Sequence, residues 1–204
     1  MAQREKKKSV LRATAFTTVV CGLLGSAFAQ VHPIPASKCS LPVDSTIVLE
    51  YPLGSGQKNV TLNSDPNNVP TVETSKQKSD QTMDTKFTKL NQSGTIDGQP
   101  IASNLSPNVP SKGSVTNVTQ STPGAMAHGH HTFNLFLEYT VNPGASNGVT
   151  FYNKQPIKVE ADIDSTSPSG RTYTMTNGPI DLFDKNNKSK TVARLISLEN
   201  RVHQ

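Results

Sequence analysis

The residues with the most chemistry in the least space stand at Met126-Ala127-His128-Gly129-His130-His131, which holds three of the chain's five histidines. Imidazole ligates Zn and Cu, and a thioether adds a soft sulfur for Cu(I). On an extended chain His128 and His130 face one side, close enough to share a metal. His131 faces the other side unless the backbone kinks, which Gly129 permits. The spacing makes His128, His130 and His131 a candidate Zn or Cu site. A structural zinc wants four ligands, and the sequence offers no evident fourth. The competing reading is a polar loop leading into a strand that starts near His131, since His-rich tracts are compositional hints. Beyond Zn or Cu, no cofactor is expected.

Other constellations stop short. Asp162-Ile163-Asp164-Ser165-Thr166 opens like a calcium loop, but the sixth position is Ser167 where glycine is needed and the twelfth is Tyr173 where glutamate is needed. Glu160, Asp162 and Asp164 share a strand face, which reads as an acidic solvent face. Paired carboxylates for glycoside hydrolysis need a cleft with aromatic walls, and the chain has no Trp. There is no Gly-x-Ser-x-Gly elbow, and the two Ser-x-x-Lys matches, at Ser55 and Ser75, lack their companion elements. Cys39 stands alone once Cys21 is set aside with the leader, so no intrachain disulfide staples the fold, and an odd cysteine raises the question of an intermolecular one. With no catalytic constellation, the expectation is a protein that is not an enzyme.

The N-terminus speaks to compartment. Arg4, Lys6, Lys7, Lys8 and Arg12 make a basic head, Ala13 to Leu24 is uncharged and apolar, and Ala27-Phe28-Ala29 offers small residues where a signal peptidase reads. Residues 1–29 are expected to be a signal peptide cleaved before Gln30, giving a secreted or periplasmic protein. The apolar run is shorter than the ~20 residues of a membrane span, so no transmembrane segment is expected in the mature chain. Removing five basic residues and one acid from 20 and 15 leaves 15 and 14, a net charge of +1. No clustered basic footprint survives, and no nucleic-acid partner is expected. A protein or cell-surface partner is the remaining kind.

The elements that must position these residues are strands. Phe133, Leu135, Leu137, Tyr139 and Val141 alternate with polar residues, with Phe136 the exception. Ile157, Val159, Ala161 and Ile163 alternate more cleanly with Lys158, Glu160, Asp162 and Asp164. Shorter strands are expected at 45–51, 59–62, 69–74, 85–90, 114–119, 149–152, 172–176, 180–183 and 191–198, the last followed by a frayed tail. The fold class is all-β: an antiparallel β-sandwich, Ig-like or jelly-roll-like, or a small open barrel, with long irregular loops in the N-terminal half. Seven of the nine aromatic residues after the leader lie between Phe133 and Phe183. The organisation expected is a flexible segment over 30–44 and one β domain over 45–204, loop-rich over 63–130 and with its main core in 131–198. A charge at Val118 or Val109 should therefore be mild. The function expected is an exported non-enzymatic surface or envelope-associated binding or structural module, with an extracytoplasmic Zn or Cu protein using the histidines as the alternative.

Overall fold

Apolar residues at every second position run through far more of the chain than 131–198. In the computed structural model, which describes residues 33–120, 127–164 and 169–203, they build strands from end to end. The leader 1–29, Cys21 and Met126 lie outside the described residues. In chain order the strands are β1 (Ser37–Ser40), β2 (Val43–Glu50), β3 (Gln57–Ser64), β4 (Thr71–Thr74), β5 (Met83–Lys89), β6 (Asn91–Ile96), β7 (Gln99–Leu105), β8 (Lys112–Gln120), β9 (Ala127–Leu135), β10 (Leu137–Val141), β11 (Val149–Asn153), β12 (Ile157–Ile163), β13 (Thr172–Met175), β14 (Ile180–Asp184) and β15 (Thr191–Val202). No helix among the described residues is long and apolar enough to cross a membrane.

Eight of these strands close a ring in the order β2-β3-β6-β7-β10-β11-β14-β15, sealed by pairing of β15 with β2 from Arg194↔Glu50 to Val202↔Val43. The twelve residues of β15 make the fork in the fold. One edge pairs with β2. The other pairs first with β14, through Leu195, and then with β13, at Glu199 to Arg201. From β13 an antiparallel extension continues as β12, β9, β8, β5, β4 and β1. The switch between the two parts is written at Phe136: Leu135 pairs with Ile157 in the extension, and Leu137 with Leu105 in the barrel. The ends of that step are held by hydrogen bonds from Phe136 N to Ser111 Oγ and from Ser106 N to Phe136 O, both 2.8 Å.

Ile47, Leu49, Leu62, Leu182 and Leu195 point into the barrel and are buried, while Thr46, Asn59 and Thr61 face out and are exposed. That is the reverse of a barrel whose outer face meets lipid. Eight strands leave an interior that side chains can fill, and here they do. Two hydroxyls within it, Ser103 Oγ and Tyr139 Oη, have no hydrogen-bond partner among the described residues.

Several expectations are corrected. The fold is all-β but is a closed eight-stranded antiparallel barrel with an extension, neither a sandwich nor an open barrel. The span 63–130, expected to be loop-rich, carries β4 to β8 and the start of β9. Within 30–44, expected to be flexible, Ser37–Ser40 is a strand and Ile34 is buried. The tail beyond Leu198 is strand to Val202. The core draws on Ile47, Leu62, Val72, Phe87 and Ile101 as much as on the C-terminal aromatics. Val118 belongs to a second buried cluster with Ile34, Met83, Val115 and Ile163, so a charge there would not be mild. The physical reason is common to these cases. Average composition over a window hides a period-two pattern in which the most polar residues face out, as Asp84 and Lys86 do between buried Met83, Thr85 and Phe87.

Candidate functional site

The three histidines do not converge. β9 is extended through all of them, and strand alternation puts His128 and His130 on its outer face and His131 on its inner face. His130 meets acids from β12: Nδ1 lies 2.9 Å from Asp162 Oδ1, its direct cross-strand partner, and Nε2 lies 3.8 Å from Glu160 Oε2. His128 is exposed beside Thr119 of β8. His131 is 3% exposed and has both ring nitrogens committed, Nδ1 to Tyr173 Oη at 2.8 Å and Nε2 to Thr85 Oγ1 at 3.0 Å. Among the described residues no group of three or more His, Cys, Asp or Glu side chains could hold a metal ion.

His131 leads to a different site. Its ring packs 4.2 Å from that of Phe133 and edge-on to Tyr173 at 5.4 Å. Burial, and secondarily the neighbouring His130, push its pKa down to about 3, so the imidazole is neutral. A neutral imidazole donates from one nitrogen and accepts at the other. Either Tyr173 donates to Nδ1 while Nε2–H donates to Thr85, or both bonds run the other way. Burial likewise raises the pKa of the Tyr173 hydroxyl, which stays protonated.

Tyr173 stands directly across from Asn200 of β15, and Asn200 directly across from Ser45 of β2. Paired residues present their side chains on one face, so the three form a row. A second chain of hydrogen bonds runs along it from the barrel side. Gln92 Nε2 donates to Val43 O at 2.6 Å and to Ser45 Oγ at 2.7 Å, and Ser45 Oγ donates to Asn200 Oδ1 at 2.5 Å. Gln92 Oε1 also lies near Ser45 Oγ, at 2.9 Å, but the hydroxyl has one proton and the Asn200 oxygen is nearer. Two buried chains, Thr85–His131–Tyr173 and Gln92–Ser45–Asn200, thus end on neighbouring residues.

Both end residues line one pocket. Its walls come from β1, β2, β4, β5, β9, β12, β13 and β15, together with Leu41 and Pro70. The extension therefore curls until its far edge, β1 and β4, stands against its start at β2 and β15. Val43, Val72, Phe87, Phe133, Val159 and Val202 make the walls apolar, and no charged side chain lines them. The cavity is ≈ 20 Å³, room for about one water. Its outer wall is the thinnest element of the fold. β1 has four residues and pairs only with β4, supported by the Ser40–Thr71 hydroxyl contact at 2.9 Å and an exposed Lys38–Glu73 ion pair at 3.2 Å. A pair so exposed adds little stability. Cys39 sits on this strand and faces the pocket.

Tyr173, Asn200, Ser45, Gln92 and Thr85 belong to no local motif. A weaker signal is present: Ser45 interrupts Val43, Ile47 and Leu49, and Asn200 stands between Leu198 and Val202, so each is polar at an inward position.

No protein-family model matches the chain, and no curated protein matches it in sequence. A solved structure does match in fold. DynF, from the dynemicin biosynthesis pathway of Micromonospora chersina, aligns over 87% of this chain and 86% of its own at 19% identity, with a TM-score of 0.69. That likeness overturns the expectation of a non-enzymatic surface or envelope-associated module, and with it the expectation that the protein is not an enzyme, because the shared architecture is one used by a protein of a biosynthetic pathway. Of the three histidines of the metal-binding alternative, His131 is turned inward with both ring nitrogens engaged. What this chain shares with DynF is the fold.

Proposed function

We propose that this chain is a small-molecule barrel of biosynthetic type, taking an uncharged and largely apolar molecule into the pocket between the barrel and the extension. One observation carries the reading: an apolar pocket without charged walls on which two buried hydrogen-bonded chains end side by side, at Tyr173 and Asn200. Pockets of this make-up, apolar with a few fixed polar groups, are the usual form of a ligand site. The likeness in fold to DynF supports it. The cavity holds only about one water, so a larger guest needs β1 and Leu41 to move outward. Inside, the polar groups on offer are neutral, with the Tyr173 hydroxyl held in place by its hydrogen bond to His131.

Toluene titration with a thermal-melt readout tests this. Saturable stabilisation is expected for the natural sequence, as for any ligand that binds the folded state alone. Val72→Phe, which fills the pocket, should remove it, and His130→Ala on the outer face should not. Absence of saturable stabilisation, or its survival in Val72→Phe, would contradict the reading. Export is a separate part of the proposal and rests on residues 1–29; N-terminal sequencing should find Gln30 first, and an intact Met1 would remove it.

A further inference from the structure

The pocket's polar groups specify more than an apolar guest. Asn200 is 7% exposed, and its Oδ1 is taken by the Ser45 hydroxyl. The carboxamide plane is thereby fixed with Nδ2 turned away from Ser45, and among the described residues Nδ2 is not one of the fully buried atoms that lack a partner, which are Ser103 Oγ and Tyr139 Oη. A donor that keeps some access can meet a guest, and a guest that covered it without accepting a hydrogen bond would leave it unpaired at a cost. Here the donors belong to a residue that lines the pocket. The orientation is enforced from behind: Gln92 donates to Ser45, and Ser45 donates to Asn200, so every bond in the chain points the same way and polarises the next. In this orientation Ser45 Oγ accepts from Gln92 Nε2 and gives its one proton to the nearer oxygen, Asn200 Oδ1.

From this geometry we infer that Asn200 Nδ2 is the recognition donor of the pocket, and that the ligand class is an apolar molecule bearing one neutral acceptor oxygen, a ketone, aldehyde, ester or quinone carbonyl. The inference rests on the pocket reading proposed above. A carboxylate or phosphate is disfavoured because no cationic side chain lines the walls to offset its desolvation. A bare hydrocarbon fits the walls but leaves the Asn200 donors unpaired, and sites built to hydrogen-bond discriminate against partners that lack the matching group. Tyr173, adjacent across the strands, is the second group within reach of the same oxygen.

Acetophenone and α-methylstyrene have nearly the same shape and differ by C=O against C=CH2, so they isolate the oxygen. The full-length mature protein is titrated with each. The natural sequence should bind acetophenone between about 2- and 10-fold more tightly, the range of one net hydrogen bond. In Asn200→Leu that preference should vanish while α-methylstyrene binding is retained. Ser45→Ala, which frees the carboxamide to turn, should reduce the preference without removing it. A readout without substitution guards against a variant that fails to fold: the Asn200 side-chain amide signal in a 15N–1H spectrum should move with acetophenone and stay with α-methylstyrene. Equal affinity for the two probes, or an unmoved Asn200 amide, overturns the inference and leaves the pocket reading standing. Binding of neither probe overturns the pocket reading itself.

Discussion

His131 shows how little a residue type settles without its neighbours. Three histidines in four positions suggested a metal centre, yet strand alternation divides them between two faces, and the inward one becomes a neutral hydrogen-bonding group beside Tyr173. Its pH behaviour follows. The folded pKa is depressed to about 3, whereas the unfolded value is near 6.5. Above pH ~6.5 the imidazole is neutral in both states and contributes no slope. Below it the unfolded chain takes a proton that the folded chain refuses, so stability should fall as pH drops from ~6.5 toward ~3, by up to about 1.4 kcal/mol per pH unit. Denaturant titrations across that window should show this slope in the natural protein, and His131→Gln should lack it. An identical slope in both would mean that His131 is protonated in the fold. Alternation was legible enough to divide the three histidines. Tyr173 and Asn200 were not legible as partners, because their proximity comes from cross-strand register between segments nearly 30 residues apart, which no local pattern encodes.

At the scale of elements, the strands with the cleanest alternation, such as β12, were legible, and those missed had readable signals of another kind. Asp97 and Gly98 both take positive φ, 51° and 76°, in the two-residue turn joining β6 to β7. An Asp-Gly pair is a strong hairpin signal where hydrophobic residues alternate on either side, and Asn91 to Ile96 carries too few of them to show that alternation. The break at Phe136 was visible as the one fault in a long alternation, though its meaning, a crossing from extension to barrel, needs the pairing partners on both sides. β1 is the element on which entry to the pocket depends. It is short and paired on one edge, so its local opening should be far cheaper than that of β2, which is paired on both. Native-state hydrogen exchange should find the bonded amides of Ser37–Ser40 exchanging at least about 100-fold faster than those of Ile47 and Leu49, equivalent to ~2.7 kcal/mol of opening free energy. Equal protection would mean that β1 does not open separately and that the pocket has no gate there.

For the whole molecule, the class was legible and the closure was not. A period-two pattern shows strands, and a ring of eight differs from two stacked sheets only in whether the last strand finds the first. That depends on the long β15 pairing with β2 across about 150 residues of sequence. The spread of the core was illegible for the same reason, since buried positions in polar strands become evident only when both neighbours are known. Val109 and Val118 make the contrast measurable, at 40% and 2% exposure. Val118→Asp should cost about 3 kcal/mol or more by burying an unpaired charge, whereas Val109→Asp should stay within about 0.5 kcal/mol. Similar melting temperatures for the two variants would contradict the second core cluster around Val115 and Ile163.

The central claim is that the pocket between barrel and extension is where this protein meets a small molecule, and methyl-resolved NMR on Val- and Leu-labelled protein tests it most directly. On titration with toluene, the shifts should centre on Val43, Val72, Val159 and Val202, which line the pocket, and should spare Leu62 and Leu182 in the filled barrel interior. Shifts centred on the barrel interior or on the outer face, or none at millimolar toluene, would contradict it.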